Sequence, residues 1–192
     1  MPYSIIEELS AKYVENRSKF FSYAFFCDSE EKQREILRVI KSEHIGCSHV
    51  CFASNINERF YSSDDREPSG TAGAQIEGVI RRSELVNVLV AVVRYFGGVK
   101  LGTQHLSGAY RLSSEMVIDN NTTKVEKYFA YSSCASYDTF SEIKRIATKN
   151  GFKIFDEKFD ENVKFCIFLR ENQENLLKNK CFLQKMDKFC YF

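Results

Sequence analysis

Two polar, glycine-containing segments hold the residues of this 192-residue chain whose types and spacing could do chemistry. The first is Ser63-Asp64-Asp65-Arg66-Glu67-Pro68-Ser69-Gly70-Thr71-Ala72-Gly73. Pro68 and Gly70 enforce a turn, Ser69 or Thr71 can cap the helix that follows, and the free first-turn amides of that helix can hold an anion. Asp64, Asp65 and Glu67 are oxygen ligands of the kind Mg2+ takes, although neighbouring carboxylates on a loop are often only solvated. The second segment is Arg94-Tyr95-Phe96-Gly97-Gly98-Val99-Lys100-Leu101-Gly102-Thr103-Gln104-His105. A β-branched run ends there in paired glycines and leads to a helix N-terminus flanked by Arg94 and Lys100. Backbone donors and the helix dipole favour phosphate in such a place. Gly97, Gly98, Gly102 and Thr103 would form the cradle, with Tyr95 or Phe96 free to stack on a base. The spacing is neither that of a Walker loop nor G-x-G-x-x-G. The plainer alternative is that the glycines only turn a strand sharply over a packed sheet.

Nucleophilic catalysis has weaker footing. Ser69 is not in a G-x-S-x-G elbow, and the three histidines, His44, His49 and His105, permit a triad without requiring one. His49 is the nearest candidate base or auxiliary group. His105 sits in the first turn of a helix, where the dipole disfavours its protonation. Cys51 reads as core. His44, Cys47, His49 and Cys51 have the residue types of a zinc site, but on a strand Cys47 and Cys51 are ~13 Å apart, too far to grip one ion.

The elements that must position these segments follow from periodicity. Arg17 to Cys27 is extended and apolar on both faces, with Phe20, Ala24 and Phe26 on one and Phe21, Tyr23 and Phe25 on the other, as in an inner strand. Asp28 and Glu31 signal the start of a helix over Ser29 to Glu43. Strands over Ser48–Ser54 and Arg59–Ser62 form a hairpin around Asn55-Ile56-Asn57. A short helix groups Ile76, Val79 and Ile80, Leu85 to Tyr95 is a buried central strand, and a long helix from about Thr103 carries Leu106, Ala109, Tyr110, Ser113 and Val117 on one stripe. The polar break Asn120-Asn121-Thr122-Thr123 divides the chain into domains of residues 1–121 and 122–192. Beyond it the order is an extended Lys127–Ser136, a helix from Asp138 to an Asn150-Gly151 cap, strands Phe152–Phe159 and Val163–Leu169, a helix from Asn172 and a strand Lys188–Phe192. That β-α-β-β-α-β order is ferredoxin-like.

Composition narrows the classes. With 27 Lys+Arg against 26 Asp+Glu the net charge is +1, which excludes the broad basic field of a non-specific nucleic-acid coat. The seven cysteines lack disulfide-scaffold spacing and read as reduced thiols. The longest apolar stretch, Leu85 to Val93, is short of the ~18 residues a membrane helix needs. Glu7 and Glu8 stand where a secretory signal places basic residues, so the expectation is a cytoplasmic protein with no membrane partner.

The two polar segments also carry a family likeness. The chain resembles the YigZ/IMPACT family through SDDREPSGTAG at 63–73, NVLVAVVRYFGGVKLG at 87–102, the pair Ala109-Tyr110, and the strand holding His49, Cys51 and Ala53. The resemblance implies an α+β, two-domain protein. Its N-terminal β/α sandwich is similar to domain two of ribosomal protein S five, and its C-terminal ferredoxin-like domain is similar to the last domain of elongation factor G. Eukaryotic relatives regulate translation through a ribosome-associated partner. Some members carry a proline-dipeptidase label, for which no metal-ligand constellation stands in this sequence. The chain departs from the family pattern where Arg66 replaces a glycine, Gln104 and His105 replace two glycines, and Gly108 replaces an arginine.

Three functional readings follow. The leading one is a non-enzymatic, translation-associated protein that binds RNA or the ribosome, with Arg94, Lys100 and the amides of the two loops, including Ser69, Gly70 and Thr71, holding phosphate. The second is a metal-dependent hydrolase or phosphate-transfer enzyme in the same cleft, with a divalent ion such as Mg2+ on Asp64, Asp65 or Glu67 and His49 as base. The third is a protein-interaction module whose partner binds elsewhere.

Overall fold

A computed structural model describes residues 2–119 and 122–191. The elements in chain order are β1 (Tyr3–Ser4), β2 (Leu9–Glu15), β3 (Ser18–Phe26), α1 (Glu30–Glu43), β4 (His49–Ile56), β5 (Arg59–Ser63), α2 (Gly73–Arg82), β6 (Val88–Tyr95) and α3 (Gly102–Ile118). They continue with β7 (Thr123–Lys124), β8 (Lys127–Ala135), α4 (Tyr137–Asn150), β9 (Lys153–Phe159), β10 (Val163–Leu169) and β11 (Gln184–Tyr191). The chain forms two compact units, Met1–Val125 and Glu126–Phe192. In the polar break read from the sequence, Asn120 and Asn121 lie outside the described residues, and Thr123–Lys124 pairs with Tyr3–Ser4 of the first unit.

The first unit is built on an antiparallel sheet in the order β2-β3-β6-β4-β5. β6 occupies the middle because both its faces are apolar and seven of its eight residues are buried. Val88, Val90 and Val92 face α2 and α3, where they pack with Phe20, Ala24, Ile76, Ile80, Leu106 and Tyr110. Ala91 and Val93 face α1 and join Ile40 and Val50. The two faces read for Arg17 to Cys27 divide in the same way, with Phe20 and Ala24 in the first cluster and Phe21, Tyr23 and Phe25 against the second. Ser29 caps α1, its side chain accepting the Lys32 amide at 3.3 Å.

Both hairpins turn on two residues with positive φ: Asn16 and Arg17 (42° and 67°) between β2 and β3, Asn57 and Glu58 (48° and 68°) between β4 and β5. The second hairpin therefore turns later than expected, and Asn55 and Ile56 belong to β4. Asn57 can enter the left-handed region more readily than β-branched Ile56.

The second unit is an antiparallel sheet in the order β11-β8-β10-β9, the strand order of a ferredoxin-like β-α-β-β-α-β unit. Phe140, Ile143 and Ala147 of α4 pack on Phe165, Ile167 and Leu169 of β10. The helix expected from Asn172 is only a 3-10 turn over Gln173–Leu176. Asn172 itself lies at φ +66°, Leu176 is exposed and Leu177 alone is buried there, so no apolar stripe exists to extend a helix. Among the described residues no helix is long and apolar enough to cross a membrane.

Candidate functional site

The two polar segments meet at one end of the first unit's sheet, joined by a buried ion pair. Arg94 closes β6 and its Nη1 lies 2.7 Å from Glu67 Oε1, with the two side chains only 7% and 4% exposed. The same Glu67 oxygen accepts the Tyr110 hydroxyl of α3 at 2.8 Å, and His49 Nε2 stands 3.8 Å away. Cys51 Sγ lies 3.3 Å from the Tyr110 oxygen and 3.0 Å from the Asp64 carbonyl. Burial pushes the Cys51 thiol up to about 12 and raises the Tyr110 hydroxyl as well, so both stay neutral. A neutral, buried thiol is a poor nucleophile. This cluster ties β4, β6, α3 and the 63–73 loop together.

Arg94 was expected on a phosphate. Its guanidinium is instead committed to Glu67, and its Cζ lies 5.7 Å from the ring centres of Phe20 and Phe96. An anion from outside would have to displace a buried carboxylate.

The three carboxylates of the first segment likewise have separate duties. Asp64 accepts the amides of Gly70, Ala72 and Gly73 at 2.8–2.9 Å, so an internal carboxylate sits where an external anion would bind at the start of α2. Thr71 Oγ1 donates to the Pro68 carbonyl, which leaves exposed Ser69 as the outward-facing hydroxyl of the expected trio. Asp65 Oδ2 accepts the Val50 amide at 2.7 Å. The Asp65 carbonyl accepts His49 Nδ1–H at 2.7 Å, which fixes the imidazole proton on that nitrogen. Among the described residues no three His, Cys, Asp or Glu side chains assemble as a metal set, Asp64, Asp65 and Glu67 included. The four residues with zinc-like types also part company: His44 lies between the hydroxyls of Tyr23 and Tyr95, at 2.7 and 3.0 Å.

Asp64 carries a pH signature. Partial burial raises its pKa, but the three amide hydrogen bonds outweigh this and hold it below the ordinary 3.8. A depressed folded pKa contributes stability that is present above the unfolded value and lost as pH falls through the folded one. Asp64→Ala is expected to lower unfolding stability by about 1–2 kcal/mol at neutral pH, as loss of a helix cap does. The deficit should shrink below pH 3.8 as the wild-type carboxylate protonates, which denaturation at several pH values will show.

The second segment stays open to solvent. Phe96, Gly98, Val99, Lys100, Gly102 and Thr103 are exposed, and so is His105, whose Nδ1 is 3.9 Å from Glu15. α3 begins with no side-chain cap on its first amides and no acidic residue in its first turn. Gly97 is required by a close approach: a Cβ there would lie 2.2 Å from the carbonyl carbon of Arg17 and 2.4 Å from the Ser18 nitrogen. The Gly97 amide donates to Ser18 Oγ at 3.3 Å. The glycine thus presses the 94–100 loop onto the β2–β3 turn and sets Arg17 beside it.

That contact forms a cleft of about 350 Å3 lined by Arg17, Lys19, Phe21, His44, Tyr95 and Phe96. Phe21 and Tyr95 meet edge to face, with centroids 5.8 Å apart. None of the six is acidic, and Arg17 and Lys19 are exposed. Of this set the sequence offers Tyr95 and Phe96 as stacking rings and His44 only as a histidine of zinc-like or triad type, while nothing in it singles out Arg17, Lys19 or Phe21 for this cleft. Arg17, Lys19, Phe21 and His44 come from a turn, a strand and a helix end far away in the chain. Of the departures from the family pattern, Gln104 and His105 occupy ordinary helical positions of α3, whereas Arg66 sits at φ +70°, in the left-handed region where a glycine carries less cost.

Comparison with known proteins agrees with the motifs. The family model described as the Impact N-terminal domain matches residues 16–118. The chain is 29% identical over 178 residues to IMPACT family member YvyE of Bacillus subtilis (strain 168), covering 90% of this chain and 82% of that protein. It is 28% identical over 162 residues to an IMPACT family member of Haemophilus influenzae, covering 81% and 78%. A solved structure described as a hypothetical protein superposes with a TM-score of 0.78 at 20% identity, covering 97% of both chains, so the fold of both units is shared. With its EPSGTAG and RYFGG segments joined at one buried ion pair and the Impact domain matched over 16–118, the chain belongs to the YigZ/IMPACT family.

Proposed function

We propose that the protein binds RNA, on its own or within the ribosome, and acts in the regulation of translation rather than as an enzyme. One observation carries the reading: two exposed cations and three aromatic rings line a single cleft without a carboxylate, and one of the rings, Phe96, belongs to the loop that leads to exposed Lys100. Rings accept unstacked bases of any sequence, and cations held next to them take the intervening phosphates. A net charge of only +1 fits a local footprint instead of an extended electrostatic grip.

Arg17, Lys19 and Lys100 take the phosphate contacts, because Arg94, Gly70 and Thr71 are engaged within the protein and Ser69 lies beside them. Co-sedimentation with separated ribosomal subunits tests it. Association is expected at low salt, weakening as salt rises, and Lys100→Ala should reduce the slope of log affinity against log salt by about 0.7, one phosphate's worth on a single strand. An unchanged slope removes Lys100 from the interface, and no association at low salt contradicts the proposal.

A further inference from the structure

The face of the first unit's sheet that carries α1 is covered over only half its width. α2 and α3 lie side by side on the opposite face, but α1 packs alone, with Ile36, Leu37 and Ile40 set among Val50, Phe52, Ala91 and Val93 of β4 and β6. Among the described residues of the first unit, no helix packs over the strip above β2 and β3. Phe21, Tyr23 and Phe25 stand half-buried along it, and Val14 beside them is 52% exposed. Two strands span ~10 Å, the diameter of one helix with its side chains.

Along this strip runs a groove of about 290 Å3, floored by Tyr23 and Phe25 and walled by Ile36, Val39 and Ile40 of α1. Its banks carry Glu8, Glu35 and Glu43 against a single cation, Lys32, which itself lies over the Phe26 ring. All three glutamates are exposed, and none makes an ion pair among the described residues. The groove is therefore opposite in sign to the Arg17–Lys19 cleft at the other end of β3, and RNA phosphates are repelled from it. Exposed apolar floor and unpaired acidic banks together call for a partner that is apolar on one stripe and basic beside it.

We propose that this groove docks a basic amphipathic helix of a partner protein. Its apolar stripe would lie on Tyr23, Phe25, Ile36 and Val39, and its lysines or arginines would meet Glu8, Glu35 and Glu43. The helix supplies the layer that α1 leaves open. Three to four turns suffice, because the strand from Lys19 to Phe25 is ~20 Å long and a helix of about 13 residues matches it. The inference does not depend on the RNA reading.

The test uses the full chain, labelled with 15N, and a synthetic probe: an acetylated helical peptide of about 15 residues with a leucine stripe flanked by lysines. A twin peptide carries glutamate at every lysine position. The lysine peptide is expected to shift the amides of Tyr23, Phe25, Glu35 and Val39, and the twin to leave them unmoved. In the Glu35→Lys/Glu43→Lys variant the preference should reverse, each peptide changing affinity by about tenfold or more. Glu8→Lys on the opposite bank should weaken the lysine peptide in the same sense. No shifts at millimolar peptide, equal binding of the twins, or a single-stranded RNA that moves these same amides would each overturn the proposal.

Discussion

Gly97→Ala is expected to destabilise the protein by about 3 kcal/mol, the upper end of ordinary overpacking. The added methyl would sit 2.2 Å from the backbone of Arg17, where no side chain can swing aside and only main-chain movement relieves the clash. The same movement pulls Arg17 away from Phe96, so RNA affinity should fall along with stability. Gly108→Ala is the matched control. Its Cβ would meet nothing within 4 Å, and in the middle of α3 alanine is favoured over glycine by about 0.8–1 kcal/mol. Urea denaturation of the two variants should therefore move in opposite directions. A Gly97→Ala protein as stable as the parent would show that the β2–β3 turn does not press on the loop.

Glu67→Gln is expected to cost about 3–5 kcal/mol, the penalty for leaving one member of a buried ion pair without its partner. Glutamine keeps an acceptor for the Tyr110 hydroxyl and preserves volume, so the loss reports the uncompensated Arg94 charge and little else. Replacing both partners, as in Glu67→Gln with Arg94→Met, removes that charge and should restore a large part of the stability. The comparison separates an internal brace from a binding site. If Glu67→Gln were nearly neutral while abolishing RNA binding, Arg94 would be acting on ligand rather than on Glu67.

Much of the architecture is written in local pattern. The Ser29 start of α1, the stripe Leu106-Ala109-Tyr110-Ser113-Val117 and the two-faced β6 each follow from periodicity that one element carries alone. Strand β2 is equally legible, since half-buried Leu9, Ala11 and Tyr13 alternate with exposed Ser10, Lys12 and Val14, a plain period of two. The signal for its hairpin is Asn16 alone, which enters the left-handed region readily; Arg17 at φ 67° stands where such a turn favours glycine, so the turn is weakly announced.

The site was legible in part, for a physical reason. The motif segments mark where backbone is constrained, and a constrained backbone is needed as much for the internal Asp64 cap and the Gly97 contact as for a ligand. Residue type alone does not say whether Arg94 faces a phosphate or Glu67. The cleft lining joins Arg17, Lys19, Phe21 and His44 to Tyr95 and Phe96 through sheet register, Lys19 pairing with Tyr95 and Phe21 with Val93. Such neighbours become visible only when the strand order is known.

The most direct measurement of the central claim is the salt dependence of single-stranded RNA binding by wild type and by the Arg17→Ala/Lys19→Ala variant. Both side chains are exposed, so the variant should keep its fold. If the cleft holds RNA, the slope of log affinity against log salt should fall in magnitude by about 1.4, two phosphate contacts on a single strand, with affinity dropping at low salt. Equal slopes and equal affinities for the two proteins would contradict the account and remove RNA from this cleft.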